Sequence, residues 1–275
     1  MEKLLISFSG GRTSGYMTKL LLDNLDRNAW EVIVVFANTG KEREETYHFI
    51  HECDQKFGFG TVWVEAVINP LRGEGTRAKV VDYHTADRTG RVFENMIQKY
   101  GIPNTAFKHC TRELKINPIR SYAIHHLGWE NFYTAIGIRT DEASRMSEKR
   151  EEKKFLYPLV SMFPSNRFDV NRFWLNQPFD LRLRSYEGNC DLCMKKSDRK
   201  LTTICHETPG QTNWWEEIED RYGDFIPEGR TCNKIPVRFY RRNRSIRDFI
   251  ELSEHDFIPA RDESQDLIPA ISHDS

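Results

Sequence analysis

Leu4-Leu5-Ile6-Ser7-Phe8-Ser9-Gly10-Gly11-Arg12-Thr13-Ser14-Gly15-Tyr16-Met17 joins a short apolar strand directly to a Ser/Gly-rich turn, and the turn opens a helix that reads through Leu22. Such a turn binds phosphate. Two adjacent glycines let backbone approach an anion without a Cβ in the way. Hydroxyls of Ser7, Ser9, Thr13 and Ser14 add donors, and the helix start contributes unpaired N–H groups at the positive end of its dipole. The string has neither the G-x-x-x-x-G-K-[ST] of the common ATPase loop nor the G-x-G-x-x-G of dinucleotide folds, so both classes are excluded.

Working outward, Val32-Ile33-Val34-Val35-Phe36 is a continuous run of the kind buried in parallel sheets, ending at Ala37-Asn38-Thr39-Gly40. Helices are expected over residues 42–58, 92–100 and 112–126, and strands over 61–67 and 132–138, with a polar stretch up to Gly90. Alternating β and α units predict an α/β fold with a doubly wound, mostly parallel sheet, whose ligands sit at the carboxyl ends of the strands. The expected division is a nucleotide-binding α/β domain at 1–180, a helical, cysteine-bearing extension at 181–258, and a disordered tail at 259–275. Residues 144–154 are dense in charge and read as a mobile loop, either merely solvated or a lid over the nucleotide. Trp214-Trp215 reads as core packing.

The 275 residues carry 29% charged side chains and a net charge of −1, so no global basic field gathers nucleic acid. No apolar stretch approaches the ~20 residues that cross a bilayer, and the expected location is the cytoplasm. Six cysteines, two of them in Cys190-Asp191-Leu192-Cys193, then point to metal or redox chemistry rather than to structural disulfides. Cys53 reads as a buried thiol. Arg238-Phe239-Tyr240-Arg241-Arg242-Asn243-Arg244 suits phosphates or bases, or is a solvated edge. His125 and His126 read as ordinary surface or core histidines.

Three strings resemble motifs of the phosphoadenosine-phosphosulfate (PAPS) reductase-like family, within the adenine-nucleotide alpha-hydrolase or PP-loop superfamily. Ser9 to Ser14 is similar to its S-G-G-x-[DT]-S loop, Asn38-Thr39-Gly40-Lys41-Glu42 with Thr46-Tyr47 to its N-T-G-x-E-x-x-x-T-Y string, and Gly137-Ile138-Arg139-Thr140-Asp141-Glu142 to its G-[IV]-R-x-D-E element. The resemblance runs to about residue 200. It implies an enzyme with an adenine nucleotide, ATP or PAPS/APS, held by Ser7, Ser9, Gly10, Gly11, Arg12, Thr13, Ser14, Asn38, Thr39, Gly40, Gly137 and Arg139. Arg139, Asp141 and Lys115 are the expected catalytic residues. Asp141 or Glu142 would hold a magnesium ion or Arg139.

His109-Cys110 stands where iron–sulfur sulfonucleotide reductases carry a Cys-Cys pair, and 79 residues separate Cys110 from Cys190, similar to the long gap in that pattern. The resemblance implies metal ligation by Cys110, Cys190 and Cys193, with Cys205, His109 or nothing as the fourth ligand. A 4Fe-4S cluster is expected ahead of zinc. The Glu-Cys-Gly nucleophile string of those reductases does not occur, and Cys232 reads as a non-catalytic thiol. That departure favours adenylation with loss of pyrophosphate, coupled to sulfur transfer, over release of sulfite from PAPS. A non-catalytic nucleotide-binding protein is the third reading. A nucleic acid or another sulfur acceptor as second substrate, and a homo-oligomer, are left open.

Overall fold

Strand β1 (Glu2–Ser7) is apolar on both faces: Leu4 and Ile6 enter one core and Leu5 another. A strand without a solvent face belongs inside a sheet covered by helices on both sides. The computed structural model, which describes residues 1–71, 73–231 and 235–267, places it there. The other strands are β2 (Trp30–Asn38), β3 (Val62–Val67), β4 (Arg77–Val81), β5 (Tyr133–Ile136) and β6 (Phe155–Leu156). Their order is β4-β3-β2-β1-β5-β6, parallel except for β4 at the edge. Ser7 is level with Val35 of β2 and Ile136 of β5. The chain moves outward from β1 to β4 and then returns to the other side of β1. This reversal opens a crevice between the carboxyl ends of β1 and β5.

The helices are α1 (Arg12–Asn24), α2 (Glu44–Phe57), α3 (Arg91–Tyr100), the single turn α4 (His109–Thr111), α5 (Asn117–His125), α6 (Pro158–Ser161), α7 (Arg167–Leu175), α8 (Asp198–Glu207), α9 (Asn213–Tyr222) and α10 (Ile246–Ser253). Between α4 and α5 the chain makes a wider, π-helical turn at Arg112–Ile116, in which the Asn117 N–H reaches the Arg112 carbonyl. Pro118 follows and has no N–H to give an α-helical partner, so the widened turn fits the sequence. Lys115 sits on this turn.

Three apolar clusters hold the elements together. Leu4, Ile6, Val34 and Phe36 pack with Met17, Phe49, Ile50 and Trp174 on one face of the sheet. Leu5, Val35 and Val64 pack with Tyr122, Ala123 and Trp129 on the other. The third cluster joins Phe93, Met96 and Ile97 of α3 and Leu114 to Leu192, Ile204, Trp215, Phe239 and Phe249.

Several expectations change. The polar stretch before Gly90 contains β4, whose Val80 is exposed and whose pattern is too weak to read alone. The tail expected to be disordered is hydrogen-bonded through residue 266: Ala260 N–H donates to Thr203, and Asn171 donates to the carbonyls of Glu263 and Asp266. Residues 268–275 lie outside the described residues. Phe239 and Tyr240 are buried, and Arg241 and Arg244 pair with Asp198, so this segment is packing rather than a base-stacking surface. Trp215 is core, as read, and donates to Asp191 at 3.1 Å.

Glu219 of α9 accepts the N–H groups of Phe239 at 3.1 Å and Ile246 at 2.9 Å, tying α10 and residues 237–245 to the third core. Burial pushes its pKa up to about 7, against ~4.3 for an unfolded Glu. The folded protein therefore holds a proton through this window that the unfolded chain releases. Its contribution is complete below the unfolded value and disappears as pH rises through the folded one, a loss of up to about 4 kcal/mol. Urea midpoints of the wild type should fall between pH 5 and 8. Glu219→Gln should flatten that part of the profile, and an unchanged slope would refute the assignment.

Candidate functional site

The loop after β1 is shaped by hydroxyls and glycine. Ser14 Oγ lies 2.9 Å from Ser9 Oγ and donates to the Gly11 carbonyl at 3.0 Å, while Ser9 N–H donates to Ser14 Oγ at 3.2 Å. Gly10 has φ +75°, and a Cβ there would lie 2.6 Å from Thr46 Cγ2, so no other residue fits without moving α2. The Thr46 hydroxyl itself is buried with no hydrogen-bond partner. N–H groups of the first α1 turn have no intrahelical acceptor. Arg12 differs from expectation. Its guanidinium turns to Asp180, at 2.6 and 2.5 Å, and so anchors α1 instead of lining the loop with its side chain.

The second wall follows β5. A Cβ on Gly137 would stand 3.1 Å from Ser14 Cα, so glycine permits β5 and α1 to meet. Arg139 donates to Thr13 Oγ1 at 3.0 Å and forks onto Asp141 at 2.9 and 3.0 Å, with Glu142 at 3.4 Å. The fork from Arg139 holds the Asp141 carboxyl below its usual range. Of the two roles expected for Asp141 and Glu142, the arrangement has both holding Arg139 rather than presenting free oxygens to magnesium. Ser7 ends β1 between Val35 and Ile136.

The third wall follows β2. Asn38 is buried and fully used: Nδ2 donates to Glu65 at 2.7 Å and to the Asp87 carbonyl at 2.8 Å, and Oδ1 accepts from Gly40 N–H and the Tyr47 hydroxyl. Thr39 donates from both N–H and hydroxyl to the buried Glu42 carboxylate at 2.9 Å. Gly40, with φ +78°, lies against Asp87. These side chains build the turn and leave its backbone to meet a ligand. Glu42 stands in the quoted N-T-G-x-E string, but Glu65, Asp87 and Asp180 carry no local signal.

The cysteine string lies against this wall. Cys190 pairs antiparallel with Glu42, Arg43 N–H donates to the Asn189 carbonyl at 2.7 Å, and Asp191 N–H donates to the Lys41 carbonyl at 3.0 Å. Ion pairs Lys41–Asp191 (3.0 Å) and Arg43–Glu187 (2.7 Å) flank the pairing. Asn189 Nδ2 then donates to the Ser9 carbonyl at 2.5 Å, so the string touches the loop after β1 itself.

The Cys190 thiol, and then, against burial, the Lys196 ammonium, the Lys195 N–H and the Lys115 ammonium lower the Cys193 pKa. The Cys193 sulfur, with burial, pushes Cys190 well up. Burial, then the Cys193 sulfur, raises Cys110. Lys115 lies 3.5 Å from Glu42. Burial opposes its charge, but Glu42 and the sulfurs of Cys190, Cys193 and Cys110 outweigh it and raise its pKa.

The expected metal centre is not supported. Among the described residues no group of three or more His, Cys, Asp or Glu side chains is arranged to hold an ion. Cys205 is buried in the third core, its thiol pushed up to about 12 by burial. His109 stacks between Tyr100 and Phe107, and burial followed by the charges of Arg112 and Arg230 lowers its pKa. Cys110, Cys190 and Cys193 remain, and the Lys115 ammonium lies near enough for each sulfur to raise its pKa; three thiols are one short of the four ligands of a structural zinc. Cys53 is buried in the first core, and Cys232 lies outside the described residues.

The family profile of the phosphoadenosine phosphosulfate reductase domain matches residues 3–88. The chain is 32% identical over 257 residues to the uncharacterized nin region protein ORF290 of Escherichia phage lambda, covering 92% of this chain and 86% of that protein. It is 22% identical to two uncharacterized proteins of Methanocaldococcus jannaschii, MJ0066 and MJ0973, over 81% and 79% of this chain. It spans only 42% and 47% of their lengths.

Asn38→Ala removes two donors from the buried network, leaving the Glu65 carboxylate with the Asp87 N–H and the Tyr47 hydroxyl with the Asp87 carbonyl. It should lower unfolding free energy by about 2–4 kcal/mol in chemical denaturation. A loss below ~1 kcal/mol would show that water substitutes for the amide.

Proposed function

Because the chain belongs to the phosphoadenosine phosphosulfate reductase-like, PP-loop family, we propose that it is an enzyme that binds an adenine nucleotide in the crevice between β1 and β5. The observation that carries this reading is the junction of Arg139 with Thr13. It joins a planar, always-charged donor to the N–H-rich start of α1 in one anion site. ATP is the favoured nucleotide. The loop amides and Arg139 would hold the β- and γ-phosphates and stabilise departing pyrophosphate while an oxygen of the second substrate attacks the α-phosphorus. Lys115, paired with Glu42 at the next strand end, would face charge developing nearby. Backbone of residues 38–40 would follow the adenine and ribose.

A second reading is a sulfonucleotide bound at the same loop, with its sulfur reduced and released as sulfite. The thiols of Cys190 and Cys193, one and four residues beyond Asn189, which touches Ser9, favour it.

Calorimetric titration with ATP and with PAPS, followed by product analysis, tests both. ATP turnover to AMP and pyrophosphate is the expected result. Sulfite from PAPS and a dithiol would favour the second reading, and tight binding without any product would indicate a nucleotide sensor. Arg139→Ala should weaken binding of the favoured nucleotide by about 10–100-fold, the value of a charge-assisted pair of hydrogen bonds, with little change in Tm. Unaltered affinity would remove the crevice from the reading.

A further inference from the structure

Helix α7 and its lead-in touch both walls of the anion site. Just before the helix, the Ser165 carbonyl accepts the Thr140 N–H at 3.0 Å and the Thr140 hydroxyl at 3.1 Å, in the turn that carries Arg139. Near its end, Trp174 is fully buried and its Nε1 donates to the Arg12 carbonyl at 2.9 Å. A Cβ on Gly15 would lie 2.8 Å from the Trp174 ring, so glycine lets helix and loop meet. Arg139 and Thr13, whose contact makes the anion site, are thus each one residue away from an anchor of α7.

What holds α7 is the far end of the chain. Asn171 is buried, and its Nδ2 donates to the carbonyls of Glu263 at 3.0 Å and Asp266 at 2.8 Å. Arg167 pairs with the Glu263 carboxylate. Residues 259–266 run between α8 and α7 as a strap. Arg199 Nε donates to the Pro259 carbonyl and Ala260 N–H to Thr203 Oγ1, both at 2.8 Å. Glu263 N–H donates to Ser185 Oγ at 2.8 Å, and Asp262 accepts the N–H groups of Ser185 at 2.9 Å and Ser264 at 3.0 Å. The strap has little apolar support: Ile258 and Leu267, which flank it, are exposed, and Ala260 only borders the third cluster. A segment held by polar contacts opens locally at less cost than a packed core.

We infer that Asn171 is a positioning residue for the anion site, and that the strap of residues 259–266 acts through it. With the strap docked, α7 holds Thr140 and Arg12, and Arg139 meets Thr13. With the strap released, α7 loses both Asn171 bonds and the Arg167 pair, and the turn after β5 loosens. The strap starts on α8, whose Leu201 and Ile204 share a cluster with Leu192. It therefore connects the cysteine-bearing part of the chain to the anion site by a route separate from the pairing of residues 41–43 with 189–191. Such linkage is reciprocal, so an anion that needs Arg139 in place also favours the docked strap. The ligand half of this inference rests on the nucleotide reading; the positioning half does not.

The test is hydrogen–deuterium exchange on the full chain, alone and with ATP. Asp262 is exposed and belongs to neither wall, so Asp262→Ala loosens the strap without touching the site. Asp262→Ala and Asn171→Leu should each speed exchange of residues 139–146 at least ~5-fold while β1 and β2 stay unchanged. Asp262→Asn, which keeps an acceptor oxygen, should restore wild-type exchange. ATP should bind either of the first two variants about 5–20-fold more weakly, with little change in Tm, and should slow exchange of residues 259–266 in the wild type. Unchanged exchange of residues 139–146 in Asn171→Leu, or a rise confined to residues 259–266 in Asp262→Ala, would overturn the positioning role. If the wild type binds neither ATP nor PAPS, the nucleotide reading fails and exchange of residues 139–146 alone decides that role. ATP that binds the wild type and both variants equally, and leaves strap exchange unaltered, would overturn the linkage with the nucleotide reading intact.

Discussion

The backbone pairing of residues 41–43 with residues 189–191 is the contact on which the site depends. Two segments almost 150 positions apart exchange main-chain hydrogen bonds, and an ion pair closes each end. Lys41 and Asp191 are largely buried, so removing one partner would leave an uncompensated charge and cost several kcal/mol. This pairing sets Asn189 against the loop after β1. It also joins the helical part of the chain to the sheet, because Leu192 and Trp215 enter the same apolar cluster as α3.

The crevice follows from a simpler constraint. With β1 buried on both faces and flanked by β2 and β5, every loop that leaves a carboxyl end on this side must share one small space. Glycine solves the crowding twice: at Gly10, against Thr46 and Ile50, and at Gly137, against Ser14. Buried polar side chains solve the rest. Asn38, Glu65, Thr39 and Glu42 satisfy one another, so the turn after β2 is preorganised before any ligand arrives.

Strands β1, β2, β3 and β5, the loop after β1 and the three motif strings were legible in residue order because each has a local cause: β-branched runs, adjacent glycines, and hydroxyls at a helix start. The two-residue β6 and β4 were not. β4 is an edge strand with one face exposed, and it gains its place only from pairing with β3. Arg12 reads as an anion ligand because arginine in such a loop is chemically apt; Asp180, far along the chain, captures it instead. The same holds for Arg241 and Arg244, claimed by Asp198, and for Phe239 and Tyr240, claimed by the third core. Exposure cannot be read from an aromatic–arginine string whose partners lie elsewhere.

The amino-acid order by itself determined a doubly wound α/β fold and a Ser/Gly-rich loop at the end of its first strand, since periodicity and glycine placement act over a few residues. Only the tertiary structure decided what the cysteines surround. Spacing shows Cys110 and the later pair as candidates for one centre, yet whether thiols meet a metal, each other or a lysine depends on side-chain positions. Here a widened helical turn places the Lys115 ammonium beside Glu42 and within electrostatic reach of three sulfurs, and Cys205 is left in an apolar core.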